Sequence, residues 1–247
     1  MLAKVAATLW QEGVFDFLEL FVPATASLSE ADSWAWYDGV LVLHGPHSEC
    51  GFNFADSRLS ESNRVVLAQL DDMVRLMKPM GVVLHPGCGG SQEEFESQVK
   101  WIKAATPDLH KVLLIENKPM IALDGRRCLG ASPEELSRCL AVAECGFCFD
   151  IRHAVAYAAA AEKEWLEVAE TFFSFNPALF HIADGKIEER VDSHDHFGAG
   201  NIDWRSLAPA WSPESLLTIE CRKDPALRLV DFQRDLEAAR KVLGESR

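Results

Sequence analysis

The stretch Gly81–Gly87 reads GVVLHPG, an apolar run of strand length that ends in a histidine and a turn. Six more runs of this kind recur at intervals of about 25–40 residues, with helical patterns between them. All seven are almost entirely apolar rather than alternating, which is typical of parallel strands buried on both faces. The other six begin at Phe15 (FDFLELFVP), Gly39 (GVLVLHGP), Lys111 (KVLLIENKP), Gly146 (GFCFDIRH), Ala178 (ALFHIADG) and Leu216 (LLTIECR).

The segments between these runs carry helix signals. Ser91–Glu94 and Ser132–Glu135 both have the pattern of a capping box, and the second has proline at the first helical position. Ser60–Met77 carries a single apolar stripe, which predicts an amphipathic helix. Two further helices are predicted at Ala154–Phe173 and Pro225–Leu243.

Alternating strands and helices predict a (β/α)8 TIM barrel. The chain shows no linker, repeat or low-complexity segment, so we expect one domain spanning residues 1–247. Only seven strands are found, and the chain opens with a helical segment. The first strand of the barrel is therefore predicted to be missing or atypical.

Composition narrows the class of protein. Hydrophobic residues make up 48 % of the chain, which supports a large core, and no apolar run is long enough to span a membrane. The formal charge of −14 argues against a nonspecific nucleic-acid coat protein. The seven cysteines are scattered and odd in number, which favours reduced thiols and a cytoplasmic location. The CxxC of Cys145 and Cys148 lies in an apolar run and is predicted to pack in the core.

Metal-ligand side chains stand where the predicted strands end. Because the carboxyl ends of barrel strands meet on one face, we expect these side chains to converge. Five imidazoles and four carboxylates on one rim are costly to desolvate without a cationic partner. Their number would suit two or three divalent cations, of which zinc, manganese or iron accept mixed nitrogen and oxygen ligands. The nine candidate ligands are His44, His85, Glu116, Asp150, His153, His181, Asp192, His194 and Glu220.

Several motifs together resemble those of the endonuclease IV family (apurinic/apyrimidinic endonuclease family 2), within the xylose-isomerase-like TIM barrels. The likeness runs from about Phe15 to Leu243. The motifs are HPG from His85, IEN from Ile115, DIRH from Asp150, FHIAD from Phe180, DSHDHFGAGNI from Asp192 and TIE from Thr218.

This resemblance implies hydrolysis of DNA at abasic sites with three zinc ions. Carried over residue by residue, it assigns the first ion to His44, His85 and Glu116. It assigns the second to Glu116, Asp150, His181 and Glu220, and the third to His153, Asp192 and His194. Glu116 would bridge two ions and Glu220 would help to position the attacking hydroxide, which makes these two the implied catalytic residues.

The loop residues after Asp192 have implied roles of their own. The glycines Gly198 and Gly200 would let the loop bend back over the site. Asp195 and His196 would either support a ligand or lie on the surface.

The sequence contains fewer signals for substrate recognition than for metal binding. Ala24–Asp38 contains Trp34, Trp36 and Tyr37, which could stack on bases or simply cover the barrel mouth, and His47 stands where the family has an aromatic wedge. The expected substrate is DNA with abasic sites or a small phosphorylated or sugar compound, and the sequence indicates no protein partner. Basic residues near the rim are Arg58, Arg64, Lys118, Arg126, Arg127, Arg152, Arg222 and Lys223.

A second enzyme class fits part of the same set. Related barrels isomerise or epimerise sugars with one metal, and their ligands would correspond to Glu116, Asp150, His181 and Glu220. Two of those carboxylates would then act as acid and base in proton transfer. The other five ligand-type residues would have no purpose in such an enzyme. A non-catalytic metal-binding barrel is the third possibility.

Overall fold

Seven parallel strands form one sheet, in which each strand pairs with the next along the chain. The computed structural model describes residues 2–207, 210–212, 214–223 and 229–244. Each of the seven apolar runs contains one strand, and the sheet curls into a nearly closed barrel surrounded by helices, which confirms the predicted fold class. The strands are β1 (Phe17–Phe21), β2 (Val40–His44), β3 (Gly81–Leu84), β4 (Leu113–Glu116), β5 (Gly146–Asp150), β6 (Leu179–Ile182) and β7 (Leu217–Ile219).

Ten α-helices occur in the described residues. Short 3-10 turns at Asp32–Trp34, Ser48–Cys50 and Ser57–Leu59 lie in the loops around β2. The helices are α1 (Leu2–Gln11), α2 (Leu28–Ala31), α3 (Ser60–Met77), α4 (Gln92–Ala105), α5 (Pro107–Lys111), α6 (Pro133–Ala143), α7 (Ile151–Ala161), α8 (Trp165–Phe173), α9 (Trp204–Leu207) and α10 (Val230–Leu243).

The two predicted capping boxes form to different extents. At α4 the Ser91 hydroxyl accepts from the Glu94 amide at 3.2 Å, and the Glu94 carboxylate accepts from the Ser91 amide at 3.1 Å. At α6 the Ser132 hydroxyl accepts from the Glu135 amide, but the Glu135 carboxylate accepts from the amide of Ala131 instead. Both helices therefore begin where the sequence predicts, and only the first has the complete reciprocal pair.

The predicted helix Ala154–Phe173 is wrong as a single element. It is divided into α7 and α8, because Glu162 adopts a left-handed conformation (φ +55°) that ends α7. The last helix begins at Val230, and residues 225–228 of the predicted Pro225–Leu243 helix lie outside the described residues.

Both faces of the central strands β2 to β6 are buried, as the apolar runs predict, whereas β1 and β7 are mostly half-buried. The side chains that face the barrel interior form a separate small cluster, while those of the other face pack against the helices. Cys148 belongs to the interior cluster and Cys145 packs partly buried against the main core, so the core prediction for the CxxC is confirmed. The interior cluster is Val42, Val83, Leu114, Cys148 and Leu179.

The prediction that all cysteines are reduced is wrong for one pair. Cys88 and Cys128 form a disulfide across 40 positions of sequence. The two residues lie in the loops after β3 and β4, where an isolated antiparallel bridge brings their backbones together. Adjacent parallel strands place these loops side by side, and the spacing of cysteines in the sequence carries no sign of it. The other five cysteines are free.

The barrel is open between β1 and β7, which are edge strands in the described sheet. A cavity of about 500 Å³ lies along this gap, lined mainly by apolar side chains of α1, β1, β7 and α10. At one end the cavity reaches His44 and Glu220. No helix among the described residues is long and apolar enough to cross a membrane.

Candidate metal centre

The structure brings all nine predicted ligand residues to the carboxyl ends of the strands. Six belong to strand tips: His44, Glu116, Asp150 and His181 lie within strands, and His85 and Glu220 directly follow β3 and β7. His153 lies in the first turn of α7, and Asp192 and His194 lie in the loop after β6. Seven of the nine are buried, whereas the side chains of Glu220 and His194 are 23 % and 30 % exposed.

Five groups of potential ligands, some of them overlapping, lie among the described residues; two of them include Glu19 or Cys148, and the other three together contain the nine predicted residues. The first two of these three share Glu116. Within each group, one donor atom per residue lies within 4.8 Å of all the others. The first is His44, His85 and Glu116; the second is Glu116, Asp150, His181 and Glu220; the third is His153, Asp192 and His194. These groups match the division that the endonuclease IV resemblance implies.

Three of the histidines are oriented by backbone carbonyls. The Nδ1–H of His44 donates to Gly45 O at 2.8 Å, that of His153 to Asn117 O at 2.8 Å, and that of His194 to Glu220 O at 2.6 Å. In a neutral ring, this bond leaves Nε2 as a bare acceptor. Such bonds to the second ring nitrogen are the usual way in which a metal-binding histidine is held.

The Nε2 atoms of His44 and His153 lie close to carboxylate oxygens. His44 Nε2 lies 3.2 Å from Glu116 Oε2, and His153 Nε2 lies 3.2 Å from Asp192 Oδ2. Two acceptors at this distance repel unless a proton or a metal cation lies between them. The arrangement therefore fits a site built for cations.

The DIRH motif has a local structural explanation. Asp150 is the N-cap of α7, and its Oδ1 accepts from the His153 amide at 2.7 Å. The capping bond places His153 beside the end of β5 and leaves Asp150 Oδ2 facing the second group. Asn117 of the IEN motif ties β4 to β5, since its side chain both donates to Asp150 O and accepts from Asp150 N, each at 2.8 Å.

Contacts with Asp184, Gly185 and Arg152 hold the loop that carries Asp192 and His194. Gly198 has φ +92°, and the amides of Gly198 and Gly200 both donate to Asp184 Oδ2. A Cβ on Gly200 would lie 2.1 Å from Gly185 O, so the close approach requires glycine. The buried guanidinium of Arg152 donates to Val191 O at 2.9 Å, next to Asp192. The loop is thus fixed near the site, as the sequence predicts for the two glycines.

Buried polar atoms without hydrogen bonds concentrate in this region. Among the described residues, half of the ten such side-chain atoms belong to candidate ligands. Because an unsatisfied buried polar atom is costly, these atoms need a proton or a metal cation as a partner. The five atoms are Glu116 Oε1, Asp150 Oδ2, His181 Nδ1, Asp192 Oδ2 and Glu220 Oε2.

The pKa shifts of the candidate ligands show that the buried carboxylates favour positive charge beside them. Burial raises the pKa of Asp150 to about 7. Burial acts against protonation of His153 and His194, but neighbouring carboxylates outweigh it and raise their pKa values to about 10 and about 9. For Glu116, burial is outweighed by His85 and His181, and its pKa falls well below the usual range. Without metal, protons on His153 and His194 offset part of the carboxylate charge.

Sequence reasoning missed Glu19, which lies on β1. Its Oε2 accepts from His181 Nε2 at 3.1 Å and also from the Thr218 hydroxyl. The other ring nitrogen of His181, Nδ1, lies 3.3 Å from Glu220 Oε2 and 3.4 Å from Glu116 Oε2. Glu19 thus orients a candidate ligand and brings a fifth carboxylate to the cluster. A lone charge inside the apolar run FLELF was the signal that could have found it.

His47, His196 and Tyr37 were considered for substrate stacking or for support of a ligand, and each makes contacts of another kind. The His47 ring stacks on His44 at a centroid distance of 5.0 Å, and exposed Phe21 lies 5.2 Å from His47. His196 Nδ1 donates to Asp235 at 2.9 Å and orients none of the five histidines. Tyr37 packs on Trp10 of α1, so this part of Ala24–Asp38 serves packing.

Comparison with known proteins places the barrel in a family. The sequence profile described as xylose isomerase-like TIM barrel matches residues 26–225. The chain belongs to the xylose isomerase-like TIM barrel family. A comparison with curated protein sequences found no significant match.

Solved structures similar to this xylose isomerase-like barrel include both enzyme types considered above. A D-tagatose 3-epimerase-like protein has a TM-score of 0.68 at 20 % identity, covering 94 % of this chain and 88 % of its own. Endonuclease IV from Thermus thermophilus also has a TM-score of 0.68 at 20 % identity, covering 97 % and 94 %. The IOLI protein with a bound zinc atom has a TM-score of 0.66 at 15 % identity, covering 97 % and 90 %.

At these identities the likeness shows the fold and does not separate the two enzyme types. A specific place in the endonuclease IV family stays a prediction.

Proposed function

We propose that this protein is a metal-dependent phosphodiester hydrolase with a site for three divalent cations. The observation that carries the proposal is the third group, His153, Asp192 and His194. A one-metal isomerase would have no use for these donors, yet a capping bond, a carbonyl contact and a glycine-dependent loop hold them beside the other two groups.

The donor set suits zinc, and manganese or iron accept the same ligands. His44, His85 and Glu116 would hold one ion, the second group would hold another, and the third group would hold the last. When bound, the ions would supply a nucleophile at neutral pH and stabilise charge on a phosphoryl group.

The residues of the chain have defined parts in this proposal. Glu116 belongs to the first two groups, so its carboxylate would help to hold two of the ions. Glu220 lies beside His181 at the open side of the barrel and is partly exposed, so it can accept a hydrogen bond from the attacking water. The buried positions of the remaining donors exclude solvent from the reacting phosphate.

The first prediction concerns metal content and the third group. Purified protein loaded with zinc and desalted should hold about three ions per chain by elemental analysis, from three or four protein ligands per ion. His194→Ala should hold about one ion fewer and lose roughly 100-fold or more of its activity on a phosphodiester, as expected when a charge-stabilising group is removed. The substrates are an abasic-site duplex and a small chromogenic diester.

His110→Ala is the matched control. This histidine caps the Ala143 carbonyl far from the strand tips and should change neither metal content nor activity. One ion per chain, with His194→Ala as active as wild type, would overturn the proposal.

A sugar isomerase or epimerase is the second candidate function. The specific observation in its favour is that Glu116, Asp150, His181 and Glu220 form a complete four-donor group by themselves. The net charge of −14 also suits an uncharged sugar better than a polyanion. Turnover of ketoses by a protein holding one ion, with no hydrolysis of either diester, would establish this candidate.

A further inference from the structure

The basic residues near the rim are mostly neutralised by carboxylates. Six of the eight lie within ion-pair distance of an aspartate or glutamate in the structure, whereas Lys118 and Arg222 have no ion-pair partner among the described residues. The six paired residues are Arg58, Arg64, Arg126, Arg127, Arg152 and Lys223. Arg222 is exposed to solvent, and Lys118 is half-buried.

Lys118 lies at the mouth of the candidate metal centre. It follows Glu116 and Asn117 at the end of β4, and its backbone amide is fixed by Gly130 O at 3.2 Å. Lys118 is one of the residues that line a cavity of about 80 Å³. His85 of the first group and all three residues of the third group, His153, Asp192 and His194, also line this cavity.

The rest of the cavity wall is firmly built. The disulfide-bonded Cys88, the loop residues Pro119, Ile121, Ala122 and Leu123, and His47 and Ser48 line it as well. The His47 ring stacks on that of the candidate ligand His44 at a centroid distance of 5.0 Å. Glu49 lies at the exposed rim, where water screens its charge.

The size of the cavity suits one small anion. Its volume is enough for a few water molecules, which is the scale of a single phosphate group. Lys118 is the only lysine or arginine among its lining residues in the described part of the chain. An unpaired ammonium beside metal ligands is the arrangement that binds phosphate as a point charge.

The charge balance points the same way. The cluster contains five carboxylates: Glu19, Glu116, Asp150, Asp192 and Glu220. Three divalent cations would leave it with a formal charge of +1, and Lys118 would raise this to +2. The bound cations and Lys118 therefore both attract a phosphate to this site.

We propose that Lys118 is the residue that recognises the substrate's phosphate, and that the substrate is a small phosphate ester rather than duplex DNA. This inference rests on the proposed hydrolase function. A duplex would need many unpaired cations along the rim, since its affinity comes from phosphate contacts, and six of the eight candidates already have carboxylate partners. A single phosphate needs only Lys118 and the cations of the cluster.

The test is the affinity of the zinc-loaded full-length protein for inorganic phosphate, measured by calorimetry at fixed ionic strength. Lys118→Met should weaken phosphate binding about 10-fold or more at unchanged metal content, from the loss of one charge-assisted contact. Lys100→Met is the matched control: it removes the same charge from the exposed face of α4 and should leave phosphate affinity unchanged.

The outcomes separate the two proposals. Equal phosphate affinity of wild type and Lys118→Met, or no phosphate binding by loaded wild type, overturns the inference at any metal content. One ion per chain with phosphate binding that still depends on Lys118 overturns the three-cation function and supports the anion site. Tight, strongly salt-dependent binding of an abasic duplex that outcompetes phosphate overturns the small-substrate part.

Discussion

Backbone carbonyls decide which nitrogen of three histidines faces the candidate centre. His44, His153 and His194 each donate their Nδ1 proton to a carbonyl, so Nε2 is the atom available to a cation. In the metal-free protein the raised pKa values of His153 and His194, about 10 and about 9, mean that Nε2 carries a proton at pH 7. A cation binding there must displace both protons.

We therefore expect metal loading to release protons from these histidines. Filling the third group at pH 7 should release about two protons per ion, because both imidazoles must become neutral. Affinity should rise as pH increases toward about 9, where competing protons leave His194. Calorimetric zinc titrations in two buffers of different ionisation enthalpy measure the protons released. His194→Ala should release about one fewer, and a buffer-independent enthalpy in wild type would contradict the prediction.

Glu19 allows a second prediction at the residue scale. Glu19→Gln should weaken zinc binding about 10-fold or more, because a group that orients a ligand histidine typically contributes this much. Competition with a chromogenic chelator measures the affinity. Thr218→Val, which removes only a hydroxyl that donates to Glu19, should have a smaller effect. An unchanged zinc affinity of Glu19→Gln would contradict the prediction and would mean that the hydrogen bond from His181 to Glu19 does not support zinc binding.

At the scale of elements, the loops after β3 and β4 act as one unit. The disulfide between Cys88 and Cys128 joins the two loops. Pro119, Ile121, Ala122 and Leu123, in the loop after β4, line the cavity that also contains Lys118. The closed segment spans 40 positions, so the cross-link restricts a long stretch of the unfolded chain.

Removing this cross-link should lower the free energy of unfolding. The double variant Cys88→Ser/Cys128→Ser should lose about 2–4 kcal/mol, measured by urea unfolding of the metal-free protein. Cys50→Ser, which changes an exposed free cysteine, is the control and should leave the unfolding midpoint unchanged. A double variant with the wild-type midpoint would show that the loops are held together without the bond.

The whole molecule is a barrel with one open seam. β1 and β7 each pair on one side in the described sheet, whereas β2 to β6 each pair on both. The seam adjoins the candidate centre, since Glu19, Glu220 and His44 line its cavity. Edge strands with a cavity beside them open more readily than central strands.

Hydrogen exchange should reveal this seam. Backbone amides of β1 and β7 should exchange faster than those of β3 to β5, which should approach the limit set by global unfolding. Mass spectrometry of exchanged peptides provides the measurement. Equal protection of β1 and β4 would mean that a segment fills the seam in solution.

The amino-acid sequence alone determined the barrel and the ring of donors. A strand buried on both faces must be apolar throughout, and a donor at its tip interrupts the run visibly, so both signals are local. Glu19 was missed because one carboxylate inside an apolar run has no meaning until His181, 162 positions away, lies against it. Only the tertiary structure revealed the Cys88–Cys128 bond, the break between α7 and α8, and Lys118 as the unpaired cation of the small cavity. These features depend on which groups meet across the fold, and the periodicity of a chain records burial but not partners.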